Sequence, residues 1–200
     1  MLAAAERLML RDGHAAVTAR RVAAEAGLKP QLVHYYFVSM DDLFVSVIRR
    51  GAARSADLIE QARASPKPLW ALWRLSNHPT VTILSAELNA AARHRRAIRM
   101  ELAQAAEQFR LAQAAALAEV LQQYDADTGN LPVRVLLLLA EYLARGMGVE
   151  RGIGLSTFHD DALAFVEGQL RRLEGEPPER DSEVVSTVSG APSGDPQGTA

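Results

Sequence analysis

Gln31, His34, Tyr35 and Tyr36 crowd one short stretch, GLKPQLVHYYF, from Gly27 to Phe37. Each of these side chains ends in a hydrogen-bonding group, and three of the four are rings. A buried segment has little use for so many polar tips, and a surface segment has little use for so many rings. Non-covalent recognition would use both properties. A Gln carboxamide can pair in a bidentate way with adenine, while His and Tyr tips can reach phosphate oxygens. The alternative is a small helical core in which the rings fill space, and composition alone does not separate the two.

Catalytic and metal-binding patterns fail one by one. With no cysteine, the chain has no thiolate ligand, cysteine nucleophile or disulfide framework. The five histidines, His14, His34, His78, His94 and His159, never fall at metal-ligand spacing. DADTGN at Asp125–Asn130 starts like a calcium loop, but its glycine comes one place early and its twelfth position is Leu136 rather than Glu. There is no phosphate loop, dinucleotide-binding glycine fingerprint or nucleophile elbow. His159-Asp160-Asp161 reads as the acidic first turn of a helix. No catalytic residue, metal or cofactor is expected, and the chain does not read as an enzyme.

The elements that must position the unusual stretch can be read locally. Leu2, Ala5, Leu8 and Met9 form one face of a first helix, and Gly13 ends it. Thr18 caps a second helix, Ala19 to Ala26, with Val17 and Val22 at the spacing of a hydrophobic staple. Pro30 suits the first position of a third helix, about Pro30 to Tyr36, and the proline keeps Lys29 out of the helical region. Ser39 and Asp42 form a capping box for a fourth helix carrying Leu43, Phe44, Val47 and Ile48. Helices two and three are thus joined by three residues, Gly27-Leu28-Lys29. This is the helix-turn-helix arrangement, whose second helix enters the DNA major groove. Val33 and Phe37 can then face the core while Gln31, His34 and Tyr35 fall on other faces.

Charge distribution agrees with that placement. Residues 1–50 hold seven Lys/Arg against five Asp/Glu, residues 51–174 hold fourteen of each, and residues 175–200 hold one Arg against five acids. Net charges are therefore +2, 0 and −4, which sum to the −2 of the 200-residue chain. No apolar run approaches a membrane span and the start does not resemble a signal peptide, so a cytoplasmic protein without a membrane partner is expected. From Gly175 onward the chain is rich in Pro, Gly, Ser and acids and lacks apolar periodicity, which predicts a disordered acidic tail over 175–200. Everything before it is helical in pattern.

Residues Leu2–Arg50, through LAAAERLMLRDGHAAVTARRVAAEAG, GLKPQLVHYYF and SMDDLF, resemble the DNA-binding domain of the tetracycline-repressor (TetR) family of bacterial transcriptional regulators. The resemblance implies an all-α homodimer of about nine helices, with a helix-turn-helix head over 1–50 and a ligand-binding and dimerisation body over 51–174. Its implied partners are an inverted-repeat operator in double-stranded DNA and a small-molecule effector. Carried over by position, the DNA-facing set is Thr18, Arg20, Lys29, Pro30, Gln31, Leu32, His34, Tyr35 and Tyr36. Three departures stand out. Met40 occupies the place of a phosphate-contacting lysine, His34 stands where the family has tyrosine, and the chain begins inside helix one without a basic lead-in. They imply weaker DNA affinity or a start further upstream. They also leave an alternative, a helical ligand-binding or interaction protein whose head has a weakened or lost grip on DNA.

The body predicts five more helices, with breaks at His78-Pro79, Asp125–Pro132 and Gly146–Ser156. The resemblance implies that the last two, about Pro132–Arg151 and Thr157–Leu173, pair across the dimer through Leu136, Leu139, Leu143, Leu163, Val166 and Leu170, although such stripes also serve as intramolecular core. Candidate residues for a small, largely apolar ligand are Trp70, Trp73, Glu87, Asn89, Phe109, Tyr124 and Tyr142, each of which ordinary packing or solvation would also explain. Arg93, His94, Arg95, Arg96 and Arg99 form the densest basic cluster, most simply a solvated face.

Overall fold

The computed structural model describes residues 1–178. Within them the chain is all-helical: α1 Leu2–Asp12, α2 Ala19–Glu25, α3 Pro30–Tyr36, α4 Met40–Arg63, α5 Pro68–Ser76, α6 Pro79–Ala92, α7 Arg96–Gln123, α8 Val133–Gly152 and α9 His159–Glu174, with a 3₁₀ turn at His14–Ala16.

Local signals set the N-terminal boundaries. The α1 helix ends where Gly13 adopts φ 80° and its N–H meets the Met9 carbonyl, a conformation that disfavours side chains. The Thr18 hydroxyl accepts the Arg21 N–H at 3.3 Å, and Val17 and Val22 are both buried. Pro30 is the first residue of α3, after an extended Lys29. Both halves of the capping box form at α4: Ser39 N donates to Asp42 Oδ2 at 2.9 Å, and Asp42 N donates to Ser39 Oγ at 3.2 Å.

The core of the head joins Ala5 and Leu8 of α1, Val22 of α2, Val33 of α3, and Leu43 and Phe44 of α4. It does not stop there. Leu88, Ala91 and Ala92 of α6 and Ile98 of α7 belong to the same buried cluster. Residue 50 lies in the middle of α4, so the head and body share one long helix and a common core. Met40 packs against this cluster, which gives an apolar side chain a use where a phosphate-contacting lysine was the family pattern.

In the body, Trp70 and Trp73 of α5 pack with Ala144 and Met147 of α8 and with Leu163, Val166 and Leu170 of α9. Two readings of the sequence change here. The α8 helix runs Val133–Gly152, close to the expected Pro132–Arg151, so the break expected over Gly146–Ser156 begins only after Gly152. A Cβ at Gly148 would lie 2.7 Å from Thr82 Cγ2, so that glycine lets α6 and α8 approach closely and is a packing residue, not a terminator. The predicted dimer stripe also divides. Leu143, Leu163, Val166 and Leu170 face the core with the tryptophans, and Leu136 packs beside Leu69 and Val120. Of the six, Leu139 is the one that stands exposed.

Gly175 to Pro178, read as the start of the tail, runs back over α5. Trp70 Nε1 donates to the Gly175 carbonyl at 3.0 Å and Arg74 Nη2 to that of Pro178 at 2.7 Å, while the Lys67 ammonium meets the Glu176 carbonyl. The rest of the expected tail lies outside the described residues.

Candidate nucleic-acid interface

The turn Gly27–Lys29 joins α2 to α3, with Gly27 at φ 67° and the Leu28 N–H bonded to the Ala23 carbonyl at 2.9 Å. Val33 plugs α3 into the head core and is 1% exposed. Buried on that one side, α3 turns Gln31, Leu32, His34, Tyr35 and Tyr36 to solvent. Tyr35 is 80% exposed and Tyr36 61%, with their rings edge to face at 5.1 Å between centroids. Thr18, Arg20, Lys29 and Pro30 are exposed as well. The nine residues carried over from the resemblance are therefore all exposed, on α3, its turn and the start of α2. Arg20 makes no ion pair among the described residues, unlike its neighbour Arg21, which meets Asp12.

A charge network braces the back of this surface. Arg7 Nε and Arg11 Nη2 hold Glu25 at 2.9 and 3.1 Å, tying α1 to α2. Hydrogen bonds from Arg7 and Arg11 hold the Glu25 carboxyl below the usual carboxylate range, and Arg11 does the same for Asp12. Arg49 of α4 grips Glu101 of α7 through two bonds of 2.9 Å and lowers its pKa in turn. Within the basic cluster, Arg95 reaches Asp41 at 3.3 Å and lies over the Phe44 ring at 5.2 Å, whereas Arg93, His94, Arg96 and Arg99 are exposed.

The candidate ligand residues scatter. Trp70 and Trp73 are core, and Asn89 is exposed and bonds the Ser85 carbonyl of its own helix. Tyr142 is 61% exposed, with Arg145 over its ring. Tyr124 packs near Leu69 and Val120, where burial and the Glu174 carboxylate push its phenol up. Glu87 stands at the junction of head and body, where its Oε2 accepts the His14 backbone N–H at 2.6 Å and contacts His14 Nδ1 at 2.7 Å. Burial pushes this carboxyl up, but the two His14 contacts outweigh it and leave its pKa lowered.

Phe109 lines two openings. One is a cleft of about 360 Å³ between α4 and α7, bounded also by Ala52, Ala56, Ile59, Ala105 and Ala112. The other is a space of about 40 Å³ beside Ser76, Thr82, Gln113 and Glu141. Gln113 Oε1 is buried there without a partner among the described residues. Sequence reasoning missed the Glu87–His14 bridge, the pairing of buried Glu141 with half-exposed Arg110 at 3.2 Å and the His159–Glu150 contact at 2.7 Å. Each joins residues on different elements, and nothing in local spacing marks them. At Asp127, by contrast, the carboxylate accepts the Gly129 N–H at 2.7 Å, an ordinary turn contact.

Comparison with known proteins gives the same head. Residues 1–47 match the family model for bacterial regulatory proteins of the tetR family. No curated protein matches the sequence. Among solved structures, a chain from Rhodococcus sp. assigned to the TetR-family transcriptional regulators is 21% identical, with a TM-score of 0.63 over 86% of this chain and 95% of that one. FadR, a transcriptional regulator from Bacillus subtilis in complex with stearoyl-CoA, is 14% identical, with a TM-score of 0.61 over 88% and 97%. The multidrug binding protein EbrR, complexed with imidazole, is 25% identical, with a TM-score of 0.55 over 90% and 96%. The resemblance seen in the sequence thus holds at two levels: the head matches the tetR-family model, and the described chain has the all-helical fold of TetR-family transcriptional regulators.

Proposed function

We propose that this chain is a DNA-binding transcriptional repressor that acts as a homodimer in the cytoplasm and leaves its operator when a small, largely apolar ligand binds its body. One observation carries the reading. A capped helix-turn-helix is anchored by Val33 and offers the outer face of α3, with its amide, imidazole and phenol tips, to solvent. A major groove accepts a helix of this kind, and those tips match base edges and phosphate oxygens.

The dimer is supported by apolar surface. Val135, Leu139, Tyr142 and Val149 recur along one exposed face of α8, Ile153 is exposed just past its end, and Phe158 and Phe165 are exposed at and along α9. A helix apolar on both faces needs a partner on each, and a second copy supplies the outer one. Two heads then meet half-sites about one helical turn or somewhat more apart. The ligand role draws on the cleft between α4 and α7, which is lined mostly by apolar side chains and bordered by the helix that continues into the head. The stearoyl-CoA and imidazole complexes of FadR and EbrR support a ligand-binding body in the same way.

The test is retention on duplex DNA carrying an inverted repeat, as a function of salt. With ~4 phosphate contacts per complex, a fourfold rise in salt should weaken binding by roughly a hundredfold through counterion uptake. Tyr35→Ala should weaken all sequences alike, whereas Gln31→Ala should relax preference at one position per half-site. Retention that ignores salt and sequence would favour the alternative, a helical binding protein whose head no longer holds DNA.

A further inference from the structure

Every large apolar or aromatic side chain left exposed within residues 1–82 falls between Leu28 and Val38. The outer surface of α3 is therefore unusually apolar for a helix meant to face a charged duplex. Its sequence, PQLVHYY, contains neither Arg nor Lys. The cations of the carried-over set lie outside it, Lys29 at the N-cap and Arg20 in the first turn of α2. Guanine presents two acceptors to the major groove, and the side chains that match them are Arg and Lys. The face of α3 offers a guanine single neutral donors but no bidentate cation.

What it does offer matches an A·T pair. Gln31 sits in the first turn, the part of a recognition helix that reaches base edges, and its carboxamide matches the N6 donor and N7 acceptor of adenine. Beside it, Leu32 is apolar and 38% exposed. The major-groove edge of a base pair has one apolar feature, the 5-methyl group of thymine. A G·C pair beneath Leu32 would instead turn hydrogen-bonding groups toward an aliphatic side chain, stripping them of water without replacing it.

We propose that α3 reads consecutive A·T pairs at the centre of each half-site, with Gln31 on an adenine and Leu32 packed on a thymine methyl, and that G·C pairs are confined to the edges near Arg20 and Lys29. This inference rests on the DNA-binding reading above and adds the base composition of the site.

Selection of the full chain against a pool of random duplexes tests both and separates them. Enriched inverted repeats with adjacent A·T pairs at the centre of each half-site are expected. Replacing the thymine opposite Leu32 by uracil, which removes only the methyl group, should then weaken binding roughly fourfold, the equivalent of one methyl withdrawn from water. In Leu32→Ala the same replacement should change affinity by less than about half that factor. Leu32 is exposed, so this variant should keep the wild-type melting temperature, and the uracil effect on the wild-type chain does not depend on any variant folding. Enriched sites with G·C pairs under α3, or no loss on uracil substitution at any thymine of the half-site, would overturn the inference while leaving DNA binding intact. A selection that enriches nothing would overturn both.

Discussion

Gly148→Ala tests how α6 is held against the body. In an ordinary helix interior this change stabilises by about 0.5–1 kcal/mol, because alanine has less backbone freedom to lose on folding. Here the added Cβ would meet Thr82 Cγ2 at 2.7 Å and Oγ1 at 3.0 Å, where ordinary contact begins at 3.4 Å. The helices must separate by the missing 0.7 Å, or Thr82, itself buried, must leave its rotamer. Overpacking of this kind costs about 1–3 kcal/mol, so the propensity gain is outweighed and the variant should be less stable by ~1 kcal/mol. Thr82→Ala removes both clashing atoms and leaves a Cβ at 3.2 Å, so the double variant should recover at least ~1 kcal/mol relative to the sum of the two single changes. Urea unfolding at fixed protomer concentration measures all four proteins, since dimerisation would shift the midpoint with concentration. A Gly148→Ala protein more stable than wild type, or single effects that simply add, would refute the close-packing account.

Further outcomes follow from the charged groups and the C-terminal end. Stability should fall with pH in two windows. Burial holds the His78 imidazole below its ordinary 6.5, so the unfolded chain gains a proton first as pH drops through that value. The carboxyls of Glu87 and Glu101, held below their ordinary 4.5, contribute stability that is complete above that value and lost as pH falls through their lower native pKa values. Thermal midpoints from pH 8 to pH 3 should therefore decline monotonically, and Glu101→Gln should flatten the acid limb. Truncation after Pro178 should leave the melting temperature unchanged. Truncation after Glu174 removes the carbonyl that satisfies the buried Trp70 indole and should lower it by about 2–8 °C, from ~1–3 kcal/mol for an unpaired buried donor. Equal midpoints for the two truncations would show that the Gly175–Pro178 contacts stabilise nothing. Glu87→Ala should weaken the effect of any body ligand on operator affinity while leaving ligand affinity without DNA near wild type, as measured by titration with and without operator.

The parts of the fold legible in the sequence are those written by neighbours in the chain. Thr18, Pro30, Ser39 and Asp42 act on backbone groups within three residues, so their types and spacing suffice to find α2, α3 and α4. Gly27 and Gly13 mark turns for the same reason. The surface around α3 became readable because one buried residue, Val33, fixes which way a seven-residue helix faces. The body is different. Along α8, two apolar rows run side by side, one through Leu143 and Met147 and another through Leu139 and Val149. Hydrophobic periodicity detects both and cannot assign either to the core. Gly148 carries the same letter as a helix stop, and only the position of Thr82 on another helix makes it a contact. Glu87 had the composition of a pocket residue and the location of a hinge. Its partner is 73 residues away, and no local rule carries that far.

That hinge bears on how a body ligand could act at all. The α4 helix enters the head directly and borders the cleft, which makes it the obvious lever. It cannot move alone. The head is also fastened to α6 through Leu88, Ala91 and Ala92 and through the His14–Glu87 bridge, and α6 is pinned to α8 where Thr82 meets Gly148. Shifting α4 against a fixed α6 would shear a close-packed core, and such cores give way in discrete steps rather than continuously. A ligand acting as proposed would have to favour a state in which α4 and α6 are both displaced, and a coupling of ~1–3 kcal/mol would change operator affinity about 5- to 150-fold. On the function proposed above, reciprocity requires operator DNA to weaken the ligand by the same factor. The route from cleft to groove thus has two strands, one covalent through α4 and one through the packing of α6 against the head. Loosening the second lets the body change shape without carrying the recognition helices with it.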